Sequence, residues 1–349
     1  MKIYERIFGK LPSGLDARLF TFENTNGLII SITNYGGIIT SLKTPGKDGV
    51  SEEICAGFSS LDDYLKDHPH FGVIVGRFAN RIAKGQFTIN GTTYNLPINN
   101  GPNHLHGGNR GFHTKLWDYK IGKEDNLARL ILTHVSPHMD EGYPGNLEVT
   151  VTYTIHNNNQ LDIDFNATTD APTHVNLTSH GYFNLDGFKN DIANHLLMVD
   201  AASYLEVDNT QIPTGILAPV SGTPFDFSKP THLQKSLESL KDGIDHCFVL
   251  SEPRTMDKPA TILSSNKGGR ILSVFCTHPG LQVYTSNWLD GTLVGHKETA
   301  YQRHSAICLE MQHFPDTPNK PAFPSTLITP SEEYNQKATF KFDIVKERN

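Results

Sequence analysis

Residues 174–185 read His174-Val175-Asn176-Leu177-Thr178-Ser179-His180-Gly181-Tyr182-Phe183-Asn184-Leu185 and place one histidine, His180, among amides and small residues. Neither Ser179 nor Gly181 has the bulk to cover an imidazole, so this ring is accessible to a ligand. Histidine is also the side chain best placed to move a proton near neutral pH. Three more segments carry matching chemistry: Gly76-Arg77-Phe78-Ala79-Asn80-Arg81, Pro102-Asn103-His104-Leu105-His106-Gly107-Gly108, and Ile307-Cys308-Leu309-Glu310-Met311-Gln312. Together they supply a carboxylate, histidines, arginines and amides. That set suits proton transfer on a polyhydroxylated substrate.

Glu310 interrupts a run that otherwise reads as a buried strand. Burial disfavours the charged carboxylate and raises its pKa toward neutrality, which suits a general base; the ordinary structural role would be pairing with an arginine. His104 and His106 form a His-x-His pair, which in a strand would share a face and could chelate a metal. The following Gly107-Gly108-Asn109-Arg110-Gly111 offers no third ligand, and His68-Pro69-His70 has the same shortfall, so no metal is expected. Arg77 and Arg81 would share a helix face, but Gly76 and Gly85 favour an irregular loop. Either could bind hydroxyls through its fork of donors, and at least one is expected to be structural. Asp245, Gln282, Tyr284 and Trp288 are locally ordinary, although the two aromatic rings could stack on a sugar face. No GxGxxG, Walker loop, GxSxG or HExxH is present, which removes the usual dinucleotide, nucleotide, serine-hydrolase and zinc-protease readings.

The elements that must hold these residues are strands. Val149, Val151, Tyr153 and Ile155 alternate with threonines; after a polar turn, Leu161, Ile163, Phe165 and Ala167 alternate with Asp162, Asp164 and Asn166. This predicts a hairpin with one face buried. Asn90-Gly91 between Phe87–Ile89 and Thr92–Leu96 predicts a second hairpin, since a type I′ turn needs positive φ at both central residues. Phe20–Phe22 with Leu28–Ile32, and Trp117–Ile121 with Leu127–Leu132, repeat the pattern. Helical signals are short: Ser60–Leu65, with a capping serine, and Leu233, Leu237 and Leu240 at helical spacing. Many strands and few short helices predict an all-β sandwich or barrel, and the absence of a linker or repeat predicts one domain over 1–349.

The chain has 349 residues, 19% charged and 37% hydrophobic, with a formal charge of −7 and no basic run. This reads as a soluble globular protein whose main partner is neither nucleic acid nor an anionic membrane. No signal peptide or spanning segment is evident, and Cys55, Cys247, Cys276 and Cys308 form no CxxC pair. Reduced, buried thiols and a cytoplasmic location are expected.

Taken in order, Asn34-Tyr35-Gly36-Gly37, GRFANRIAKG (76–85), NHLHGG (103–108), DEGYPG (140–145), HVNLTSHGYFNL (174–185), IPTG (212–215), IDHCF (244–248), CLEMQ (308–312), FPDTPN (314–319) and Pro330-Ser331-Glu332-Glu333-Tyr334 resemble the aldose 1-epimerase (galactose mutarotase) family over nearly the whole chain. The resemblance implies a large antiparallel β-sandwich, the galactose mutarotase-like supersandwich. It implies Glu310 as general base, His180 as general acid and His106 as a second active-site histidine. Asn80, Arg81, Asp245 and Gln282 would bind sugar hydroxyls. Ser179 stands where the family usually has Asn, and Met311 where Thr is usual, which touches the tuning of the site rather than its proton-transfer groups. The implied reaction interconverts α and β anomers of a free aldohexose by ring opening and closure, on a monosaccharide substrate, without cofactor, in a monomer or homodimer. A hexose-6-phosphate epimerase would need basic side chains at the 6-position. A glycoside hydrolase would need a second carboxylate near Glu310. A non-catalytic sugar-binding protein would have no use for both His180 and Glu310.

Overall fold

Every sheet among residues 1–345, the part of the chain described by the computed structural model, is antiparallel. The largest has nine strands in the order Asp118–Lys123, Leu127–Ser136, Leu147–His156, Gln160–Thr169, Tyr334–Ile344, Arg270–Cys276, Thr261–Ser264, Leu196–Val199 and Thr231–His232. A six-stranded sheet runs Tyr182–Phe183, Ile307–Gln312, Gly280–Tyr284, Asp245–Leu250, Ala201–Val207 and Pro213–Pro219. A five-stranded sheet is built from the N-terminal strands between Lys2 and Glu53.

Alternation in the sequence becomes facing in the structure. Val149 pairs with Ala167, Val151 with Phe165, Tyr153 with Ile163 and Ile155 with Leu161, so all eight side chains share one face. They join Phe20, Phe22, Ile30 and Ile32 of the N-terminal sheet and Leu281, Val283 and Leu309 of the six-stranded sheet in one buried apolar cluster. Each such side chain contributes on the order of 2 kcal/mol by leaving water. Three sheets therefore close on one core, which is the sandwich that the alternation predicts.

Asn90 and Gly91 take φ of 51° and 79°, as the type I′ turn requires. The helices are Leu61–Tyr64, where Ser60 caps by accepting from the Asp63 amide, and Leu233–Ser239. Among the described residues no helix is long and apolar enough to cross a membrane. The four cysteines are buried and unpaired.

Candidate active site

The six-stranded sheet forms the floor of a pocket, and its register decides which side chains point into it. Glu310 lies opposite Gln282, and Asp245 lies opposite Tyr284. Paired residues of an antiparallel ladder share a face, as do residues two apart. Glu310, Gln282, Tyr284 and Asp245 thus converge on one side of the sheet, while Leu309 and Met311 turn into the core on the other. Met311, one departure from the family pattern, acts through packing. Ser179, the other, is buried on a two-residue ribbon opposite Ile74.

His180 comes from the chain that leaves that ribbon. Its amide donates to the Val73 carbonyl at 3.0 Å, and its carbonyl accepts from the Gly72 amide at 3.0 Å. The Tyr182 ring stacks on the imidazole, centroids 5.1 Å apart and planes 14° apart. Held this way, His180 Nε2 stands 3.5 Å from Glu310 Oε2. The acid and base of the expected reaction are side by side, where each can meet one of the two oxygens carried by an anomeric carbon.

Two loops form the opposite wall. Arg81–Ile82 pairs with His104–Leu105. The following glycine is obligatory: Gly107 has φ of 80°, and a Cβ there would lie 1.9 Å from the Gly76 carbonyl oxygen. His106 takes φ of 52°, which ends the strand and separates its ring from that of His104. The two histidines do not share a face, contrary to the strand reading. His104 is turned inward, bonded to the Tyr143 hydroxyl and the Pro97 carbonyl at 2.8 Å each. His106 enters the pocket, and its Nδ1 accepts from the Asn80 amide at 3.1 Å, leaving Nε2 to carry the hydrogen toward a ligand.

Arg81 donates through Nε to Asn100 Oδ1 at 3.0 Å and reaches Asp245 at 4.0 Å. Gln282 Nε2 donates to Asp245 Oδ1 at 2.6 Å. Asn80, Arg81, Asp245 and Gln282 therefore line one pocket with His106, His180 and Glu310, joining all seven expected residues. Arg77 is elsewhere. It is buried and donates to Ser136 Oγ and to the Ser136, Pro137 and Pro144 carbonyls, so it is the structural arginine. Sequence reasoning assigned no sugar contact to Asn100, Leu105, Pro69, His70 and Tyr182, which complete the lining. Trp288, 78% exposed, stands at the rim.

Electrostatics separate the central pair. Burial, then Asp245, pushes the Glu310 carboxyl well above its ordinary range, with Arg81 opposing. Burial pushes His180 down to about 4. His106 is also driven well below its ordinary value, by burial first and then by His180 and Arg81. Burial favours the uncharged form of both members of the pair, the carboxylic acid of Glu310 and the neutral imidazole of His180. Glu310 Oε2, His180 Nδ1 and Gln282 Oε1 are buried without a hydrogen-bond partner. Such atoms cost about 1–3 kcal/mol each unless a ligand supplies the bond. His106, His180 and Glu310 each offer a ligand atom within 4.8 Å of the others. The third ligand atom absent from the sequence near His106 is thus brought from far along the chain.

The sequence matches the aldose 1-epimerase family over residues 18–341. It is 44% identical over 347 residues to the galactose mutarotase of Rattus norvegicus, covering 99% of both chains. It is 35% identical over 338 residues to the aldose 1-epimerase of Escherichia coli, covering 95% of this chain and 96% of that one. The crystal structure of a galactose 1-epimerase from Lactobacillus acidophilus superposes with a TM-score of 0.88 at 29% identity, covering 99% of each chain.

Proposed function

The chain belongs to the aldose 1-epimerase family, and we propose that its Glu310–His180 pair interconverts the α and β anomers of free aldohexoses such as galactose and glucose. Glu310 takes the proton of the C1 hydroxyl as His180 gives one to the ring oxygen. The C1–O5 bond breaks and C1=O1 forms. Rotation about C1–C2 presents the other carbonyl face, and closure reverses both transfers. The observation that carries this reading is the 3.5 Å approach of two buried groups, Glu310 Oε2 and His180 Nε2.

The electrostatics favour one side of the reaction. The closed sugar needs ionised Glu310 beside protonated His180; once the ring opens, the carboxyl is protonated and the imidazole neutral. Burial favours that uncharged arrangement at both groups. The pocket therefore stabilises the protonation state that accompanies the open-chain aldehyde. His106, with hydrogen on Nε2, donates to a substrate oxygen. Arg81, Asn80, Asp245 and Gln282 hold the ring while C1 moves.

We also read residues 1–349 as one domain, since groups as distant in sequence as Asn80 and Glu310 line one pocket. A reducing, cytoplasmic setting suits four buried unpaired thiols. The test is polarimetry on freshly dissolved α-D-galactose and α-D-glucose. Catalysed approach to equilibrium rotation is expected, and a rate equal to the uncatalysed one overturns the reading.

A further inference from the structure

His70 is a pocket residue with no part in the chemistry above. It follows Pro69 with φ of 61°, and its ring packs 5.0 Å from that of His106, 4.7 Å from His113 and 6.1 Å from His180, centroid to centroid. The Tyr182 hydroxyl donates to the Pro69 carbonyl at 2.7 Å, so the residue that stacks on His180 also fixes the backbone that presents His70. The His70 amide donates to the His68 carbonyl at 2.9 Å. The ring is half-buried and lines the pocket, and neither of its nitrogens has a protein partner among the described residues.

The position of His70 follows from the order of atoms in a pyranose. O1 meets Glu310, and the next carbon on that side is C2, which faces Asp245 and Gln282 beside Glu310. O5 meets His180, and the next atoms on that side are C5 and C6. There His70, His106 and Tyr182 pack around the His180 ring, centroids 5.1–6.1 Å from it. From these observations, and resting on the proposed epimerase reading, we propose that His70 is a specificity-determining residue that hydrogen-bonds the C6 hydroxyl of a free hexose. The histidines at this end are held neutral: burial first, then His106, His113, His180 and His68, pushes His70 well below its ordinary range. No lysine lines the pocket, and its one arginine, Arg81, is engaged by Asn100 Oδ1 at 3.0 Å and Asp245 at 4.0 Å. The His70 end matches a neutral hydroxymethyl group and not a 6-phosphate.

The experiment compares kcat/KM for D-galactose with that for 6-deoxy-D-galactose, in the wild type and in His70→Phe and His70→Gln. The wild type should prefer the 6-hydroxylated sugar by about 3- to 10-fold, the range of a neutral hydrogen bond. His70→Phe should lose that preference through KM for galactose, leaving the deoxy sugar within about 2-fold, and His70→Gln should restore part of it. A wild type without preference overturns the proposal even if no variant folds. So does an equal loss on both sugars, which would make His70 a packing residue. Catalysis of neither sugar by the wild type would instead sink the epimerase reading beneath it.

Discussion

Replacing Glu310 by Gln separates the chemistry of the pocket from its shape. The amide keeps the volume and the bond capacity of a side chain that is 2% exposed, and it cannot accept the C1 proton. Loss of a general base costs about 10²- to 10⁴-fold. Turnover should fall by that much in polarimetry, with the spontaneous rate subtracted, while calorimetric sugar affinity stays within a few-fold. Stability should move the opposite way. The folded pKa of Glu310 is raised above its ordinary value of 4.5, so the native state binds the extra proton and loses stability as pH rises through that window. Within that window each pH unit removes at most about 1.4 kcal/mol. At about 2 cal/mol/K per residue, a chain of 349 residues converts this to roughly 2 °C in Tm. Gln titrates nowhere, and His180 is common to both proteins. The Tm of the variant should therefore gain on the wild type by up to that amount per pH unit across the window. Mutarotation within a few-fold of wild type removes Glu310 as the base. A Tm difference that ignores pH removes the claim that burial holds its proton.

Three further outcomes are expected. His180→Asn should lower kcat far more than it raises KM, because the donated proton matters in the transition state; a change confined to KM would transfer the acid role to His106. The pH–rate profile should be a broad bell. Its acid limb should fall near the value of about 4 to which burial lowers His180, where the pair gains a second proton, and its alkaline limb should appear where the last proton leaves Glu310. A narrow optimum with both limbs at the ordinary histidine pKa contradicts the burial-driven separation of the two groups. Exhaustive chelation should leave activity intact, and added Zn²⁺ should inhibit in competition with sugar, because His106, His180 and Glu310 stand within ligating distance of one another. Activity lost with chelator and restored by metal would refute the cofactor-free mechanism.

Local physics made much of this legible. The Asn90-Gly91 hairpin, the capped turn after Ser60 and the alternation of Val149–Ile155 and Leu161–Ala167 depend on near neighbours, and the structure places them as read. Glu310 was visible because a charge in a six-residue apolar strand is anomalous. Other features depend on contacts between distant segments. His104 and His106 part company because a left-handed residue ends the strand after two positions. Arg77 and Arg81 look alike in sequence and differ only in what surrounds them, carbonyls for one and Asp245 for the other. His70 was noticed only as half of a weak metal pair, because its neighbours His106, His113 and His180 arrive from other parts of the chain.

The strand Tyr334–Ile344, the last in the described chain, lies inside the nine-stranded sheet, flanked by Gln160–Thr169 and Arg270–Cys276. Synthesised from the N-terminus, those two flanks wait with open hydrogen-bonding edges until residue 344 has emerged. Such edges invite pairing with other chains. Completion of the sheet therefore waits on this strand, and until it arrives chaperone binding competes with edge-to-edge aggregation at the two open edges. A ribosome-bound chain released before this strand would carry Glu310, His180 and His106 in its sequence and still lack the sheet that closes the core beneath them.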